Sequence, residues 1–108
     1  MNQDTQTVNL LDQAAGLMHA AAAIAESRGG DDVFSEWHGL ASQIQLTSAG
    51  VSHAPTQVPE PSPSVTGCLA SAMATLDRIA PLAGPPDLTL WIWHIRELRD
   101  LAEAMERR

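Results

Sequence analysis

Four histidines (His19, His38, His53, His94), the single Cys68 and thirteen carboxylates are the groups in this chain able to bind a metal, move a proton or attack a substrate. A helical metal site requires ligands three or four residues apart on one face. No two of these histidines have that spacing, although His19 is able to approach His38 or His94 across helices, and Cys68 has no second thiol to act with. The thiol falls in an apolar helical stripe, where a small buried side chain is expected rather than a nucleophile. No strand-to-helix elbow frames it or any serine. Asp31 and Asp32 adjoin one another, and Glu97, Asp100, Glu103 and Glu106 follow helical spacing as one charged face. Acid–base catalysis instead needs two carboxylates held in differing surroundings. Gly29-Gly30 lacks the Lys-Ser/Thr that completes a phosphate loop. The residues therefore predict a non-enzymatic protein with no metal and no cofactor, in which His38 and His94, each following a tryptophan, are surface or rim histidines.

The aromatic residues point elsewhere. Phe34, Trp37, Trp91 and Trp93 are the only ones, and a helix cannot bury Trp91, Ile92 and Trp93 in one core. At about 100° per residue, Trp91 shares a stripe with Leu88, Ile95, Leu98, Ala102 and Met105, while Trp93 falls near the opposite side beside Thr89, Arg96 and Asp100. A large aromatic in polar company is expected to meet a partner, either another part of the chain or another molecule.

The elements that position these residues read as all-α: two antiparallel helical hairpins (four helices) joined by a Pro-rich linker, packed as a four-helix bundle or a helical dimer. Residues 1–47 form an acidic N-terminal hairpin, 48–64 a linker and 65–108 a C-terminal hairpin, together one domain. The first helix is expected over Thr7–Ser27, capped by Thr5 or Thr7, with Gly16 inside it at a penalty of about 1 kcal/mol relative to alanine and Gly29-Gly30 closing it. Asp31 and Asp32 are expected to open the second helix. Its stripe is Val33, Phe34, Trp37, Leu40, Ala41 and Ile44, and it frays near Leu46–Thr47. Four of the seven prolines lie between Pro55 and Pro63, so that stretch should be an extended, stiff spacer. The third helix begins at Ser64–Thr66, buries Val65, Leu69, Ala72, Met73, Leu76 and Ile79, and is ended or kinked by Pro81. Residues 83–86 form the turn, and Asp87 caps a fourth helix running to Arg107, with Arg96–Asp100, Arg99–Glu103 and Glu103–Arg107 spaced for i,i+4 pairs. Trp37-His38 and Trp93-His94 repeat as a dipeptide, but Trp37 lies on a core stripe and Trp93 off one, so the phase argues against a duplicated hairpin.

Charge narrows the function. The net charge is −7, and residues 1–64 hold seven acids against Arg28 alone, leaving −1 for the remainder. Such a chain disfavours direct contact with nucleic acid, which requires clustered cations, and suits a basic protein surface. The apolar run Ala20–Ala25 is too short for a membrane, the N-terminus lacks a signal's basic region, and one cysteine excludes an internal disulfide, so a cytoplasmic setting is expected. The absence of lysine, with abundant Ala, Gly and Pro, points to GC-rich bacterial coding. The expected function is a small acidic protein-binding module, a regulator or inhibitor of a partner and itself a homodimer. A phage or mobile-element protein that blocks a basic, nucleic-acid-binding surface fits the size and charge. Its contact residues are expected to be Trp93, Leu90, Ile92, Arg96 and Phe34, with Asp31, Asp32 and Glu36 facing the basic partner. The alternative is a helical carrier or sensor of small ligands, with Met18, Met73, Cys68 and Trp37 lining a pocket between helices.

Overall fold

Alanine dominates the first helix and sets how closely its neighbours approach. In a computed structural model, which describes residues 3–79 and 84–107, α1 (Gln3–Gly29), α2 (Glu36–Val51), α3 (Val65–Asp77) and α4 (Leu88–Glu106) form an all-α bundle with no strand among the described residues. Ala14, Ala15, Ala21, Ala22 and Ala25 of α1 are fully buried with Met18, and meet Leu40, Ala41 and Ile44 of α2 and Val65, Cys68, Leu69, Ala72 and Leu76 of α3 in one core. Side chains this small let backbones come close enough for Ser48 Oγ to donate to the Ala15 carbonyl at 3.0 Å, buried between α1 and α2. α1 packs against α2 and α3, and α4 packs against α3 and, more sparsely, α2. Around the bundle the order is thus α1, α2, α4, α3, with α2 and α3 on a diagonal.

That diagonal explains the linker. Residues 52–64 must carry the chain from α2 across α1 to reach α3, a crossover rather than a spacer. Asp12 of α1 fastens it twice: its carboxylate accepts from Ser52 Oγ, and its carbonyl accepts from the Thr56 N–H at 2.9 Å. Gly16 lies directly beneath, where an added Cβ would stand 1.8 Å from the Thr56 carbonyl oxygen. The glycine that weakens the helix locally is the one the crossing strand requires.

Several boundaries differ from those the sequence predicts. α1 begins at Gln3, so Thr5 and Thr7 lie within it and do not cap it. It ends as expected, with Gly30 in the left-handed region at φ 56° and its N–H on the Glu26 carbonyl at 3.1 Å. Asp31 and Asp32 do not open α2. The Asp32 carboxylate accepts the Phe34 N–H at 3.0 Å, its carbonyl accepts the Ser35 N–H at 3.0 Å, and the side chain is thereby engaged in a turn. Ser35 is the N-cap, with Oγ on the Trp37 N–H at 3.2 Å. Val33 and Phe34 consequently precede the helix and leave its stripe, while Leu40, Ala41 and Ile44 keep it. Nor does α2 fray at Leu46–Thr47. Ser48 and Val51 are buried, and this tertiary contact extends the helix four residues into the expected linker.

α3 begins at its Ser64 cap, whose Oγ accepts the Gly67 N–H at 2.9 Å, and buries the six apolar residues expected of it. It ends at Asp77. Pro81 and part of the 83–86 turn lie outside the described residues. Asp87 occupies the N-cap position of α4 but makes no side-chain cap bond; its carbonyl accepts from the Trp91 N–H at 3.0 Å. Of the expected charge pairs, Glu103–Arg107 forms, while Arg99 turns to Asp100 at 3.2 Å instead of to Glu103. Glu106 is not merely part of a charged face: its Oε1 accepts the Thr66 N–H at 3.2 Å, placing a carboxylate on the positive end of α3.

Candidate protein-binding surfaces

The phase of α4 separates its tryptophans as the 100° rule predicts. Leu88, Ile95, Leu98, Ala102 and Met105 are buried, and Trp91 packs on the core with its indole near Gly50 of α2. Trp93 is 54% exposed, Leu90 61% and Leu101 48%. With Glu97 and Ala104, both exposed, they make one stripe along the outer face of α4. Leu101 belongs to this stripe and is absent from the contact residues read from sequence. The signal is present in the sequence, since 90, 93, 97, 101 and 104 follow the helical period. Arg96 is exposed at the edge of the stripe. Ile92 does not belong to it: the residue is half-buried against the core, because at about 100° per residue it lies beside the buried stripe rather than the outer one.

A second apolar surface stands at the α1–α2 turn. Phe34, the only phenylalanine, is 91% exposed, and Val33 beside it 78%. Both ride on a turn held by the bonds of Asp32 to the Phe34 and Ser35 N–H groups and by the Asp32 N–H on the Gly29 carbonyl at 3.3 Å. His38 braces the same turn. Its Nε2 donates to the Gly30 carbonyl at 3.0 Å, and its ring fills the space a Cβ on Gly29 would need, with atoms at 2.6–2.8 Å. Arg28 lies 4.9 Å above the Trp37 ring just below. Asp31, Asp32 and Glu36 are all exposed around this tip. The structure does not join Phe34 to the Trp93 cluster. Trp91 meets α2 near its C-terminal end, whereas Phe34 precedes its N-terminus, and sixteen residues at 1.5 Å each put the two ends about 24 Å apart.

The remaining reactive groups are placed structurally. Cys68 is fully buried and its thiol donates to the Ser62 carbonyl at 3.3 Å; burial raises its pKa above the ordinary thiol value. His19 approaches neither His38 nor His94 in a shared site. It lines open grooves beside the linker instead, one of about 400 Å³ with Gly16, Ala20 and Pro55 and one of about 410 Å³ with Ser48, Ser52 and His53. Met18, Met73 and Cys68 are core residues and line neither groove. Among the described residues, no three His, Cys, Asp or Glu converge as metal ligands, and no helix is long and apolar enough to cross a membrane.

Comparison with protein-family models, curated proteins and solved structures gives no match.

Proposed function

We propose that this chain is a non-catalytic protein-binding module that regulates or inhibits a partner by docking its acidic α1–α2 tip against a basic surface. The observation that carries this reading is Phe34, 91% exposed on a hydrogen-bonded turn and surrounded by exposed carboxylates. An aromatic side chain on a pre-ordered backbone turn has few torsions to lose on binding and desolvates well in a pocket. Asp31, Asp32 and Glu36 fit a cationic rim around such a pocket and would speed encounter with it. The excess of acids across residues 1–64 extends the same potential over the N-terminal half.

A library of randomised peptides displayed on phage, selected on the whole protein, tests the reading. Selected peptides should combine arginine or lysine with apolar residues. Their affinity should fall about tenfold or more with Phe34→Ser, in the range of an interface hot spot, and should weaken steadily with added salt. Peptides that bind Phe34→Ser as well as wild type, or with no salt dependence, would refute it.

A further inference from the structure

The stripe on α4 is symmetric in a way that the tip is not. Counting outward from Glu97, Trp93 and Leu101 are equidistant, and so are Leu90 and Ala104. All five fall within a sector of about 80° on the side of α4 turned away from its contacts with α3 and α2. If two such helices pack antiparallel about a two-fold axis through Glu97, Trp93 of each copy faces Leu101 of the other and Leu90 faces Ala104. Large side chains then meet smaller ones across the seam. Arg96 and Asp100, both exposed, lie on one flank of the stripe. An isologous contact brings like flanks together, so Arg96 of one copy comes within about 3 Å, measured along the axis, of Asp100 of the other. Two symmetry-related ion pairs result, in which Asp100, held by Arg99 of its own chain at 3.2 Å, shares its exposed carboxylate with the second copy's arginine. We propose that the outer face of α4 is a homodimer surface in which two copies pair antiparallel across Glu97. This goes beyond the docking of the acidic tip and does not depend on it.

A second copy is the occupant because the face complements itself in both shape and charge. A heterologous helix would need the matching pattern independently. The contact is small: at a helix separation near 10 Å, a stripe of about 20 Å buries roughly 400 Å² per copy, below the size of stable interfaces, so the dimer should be weak and transient. One group opposes it. Glu97 sits on the axis and faces its own counterpart, a like-charge pair that the protein's net charge of −7 reinforces.

This opposition supplies a test that ordinary truncation does not. Sedimentation equilibrium from low-micromolar to sub-millimolar protein should show a reversible monomer–dimer exchange. Glu97→Gln should tighten the dimer about fivefold or more, because it removes like charges at close range. Trp93→Ala should weaken it about tenfold or more, whereas Phe34→Ser should leave it unchanged. Arg96→Asp should also weaken it, and adding Asp100→Arg should restore it. Circular dichroism of the diluted monomers checks that each variant keeps its helices. A wild-type chain that stays monomeric at sub-millimolar concentration overturns the proposal, as does a dimer that Glu97→Gln leaves unaltered or loosens. Neither result bears on the tip, since peptides selected through Phe34 would still bind Trp93→Ala.

Discussion

At the scale of single residues, Cys68 and Gly16 link local chemistry to the whole fold. Burial favours the neutral thiol, so the folded chain holds its proton to higher pH than the unfolded chain does. The sign of the linkage follows: stability is fully present below the ordinary thiol range and is lost as pH rises through and beyond it. We expect the urea midpoint to fall on the alkaline side, and Cys68→Ala, measured over the same pH series, to remove that part of the fall. At Gly16 two effects compete. Alanine would gain about 1 kcal/mol of helix propensity, but its Cβ would stand 1.8 Å from a linker carbonyl, and overpacking of this kind costs about 1–3 kcal/mol. Because the obstacle is backbone rather than a flexible side-chain tip, the clash should win. Gly16→Ala should lower the thermal midpoint and make residues 52–64 easier to cleave by protease. The glycine stood out in the sequence as a flaw in an alanine-rich helix; its reason lies forty residues further along the chain and was not legible there. The separation of Trp91 from Trp93 was legible, because the angular period of a helix fixes it with no knowledge of neighbours.

At the scale of elements, the informative error is the start of α2. Aspartate and serine are both good N-caps, and Asp31, Asp32 and Ser35 compete for one position. Asp32 resolves the competition by accepting the Phe34 N–H, which leaves the cap to Ser35. Ser35→Ala should therefore cost about 1 kcal/mol, or a fall of about 4–8 °C in thermal midpoint for a domain near this size. Asp31→Ala should move the midpoint by less than half that. Equal falls in both variants would restore Asp31 as a capping residue. This shift of the cap from Asp31 to Ser35 changes the surface as well as the boundary. With the helix beginning at Asp31, Phe34 would point into the core; with Ser35 as cap, it projects from the turn. Composition favours helix strongly enough to place all four elements, but the cap is settled by hydrogen bonds among near-equal candidates, which spacing alone does not rank.

At the scale of the whole molecule, the diagonal placement of α2 and α3 governs the rest. It obliges residues 52–64 to cross α1, draws Ser48 and Val51 into contact and so lengthens α2, and leaves α4 held mainly by α3 with its outer face open. It also sets the acidic tip and the α4 stripe at separate places on a body measuring 46 × 24 × 19 Å. A single contact cluster joining Phe34 to Trp93 is thereby replaced by two surfaces, one rimmed by carboxylates and one self-complementary.

Local sequence specified the helical class, the four elements, the core stripes of α3 and α4, the glycine stop of α1 and the placing of Trp93 off the core stripe of its helix. Each follows from periodicity or backbone preference acting within a few turns of helix. Long-range packing sets which helices are neighbours, why Gly16 must lack a side chain, why Glu106 sits at the start of α3, and that Phe34 and Trp93 lie on different surfaces. Those features depend on contacts between residues far apart in the chain, where several arrangements bury the same apolar stripes and close packing selects among them.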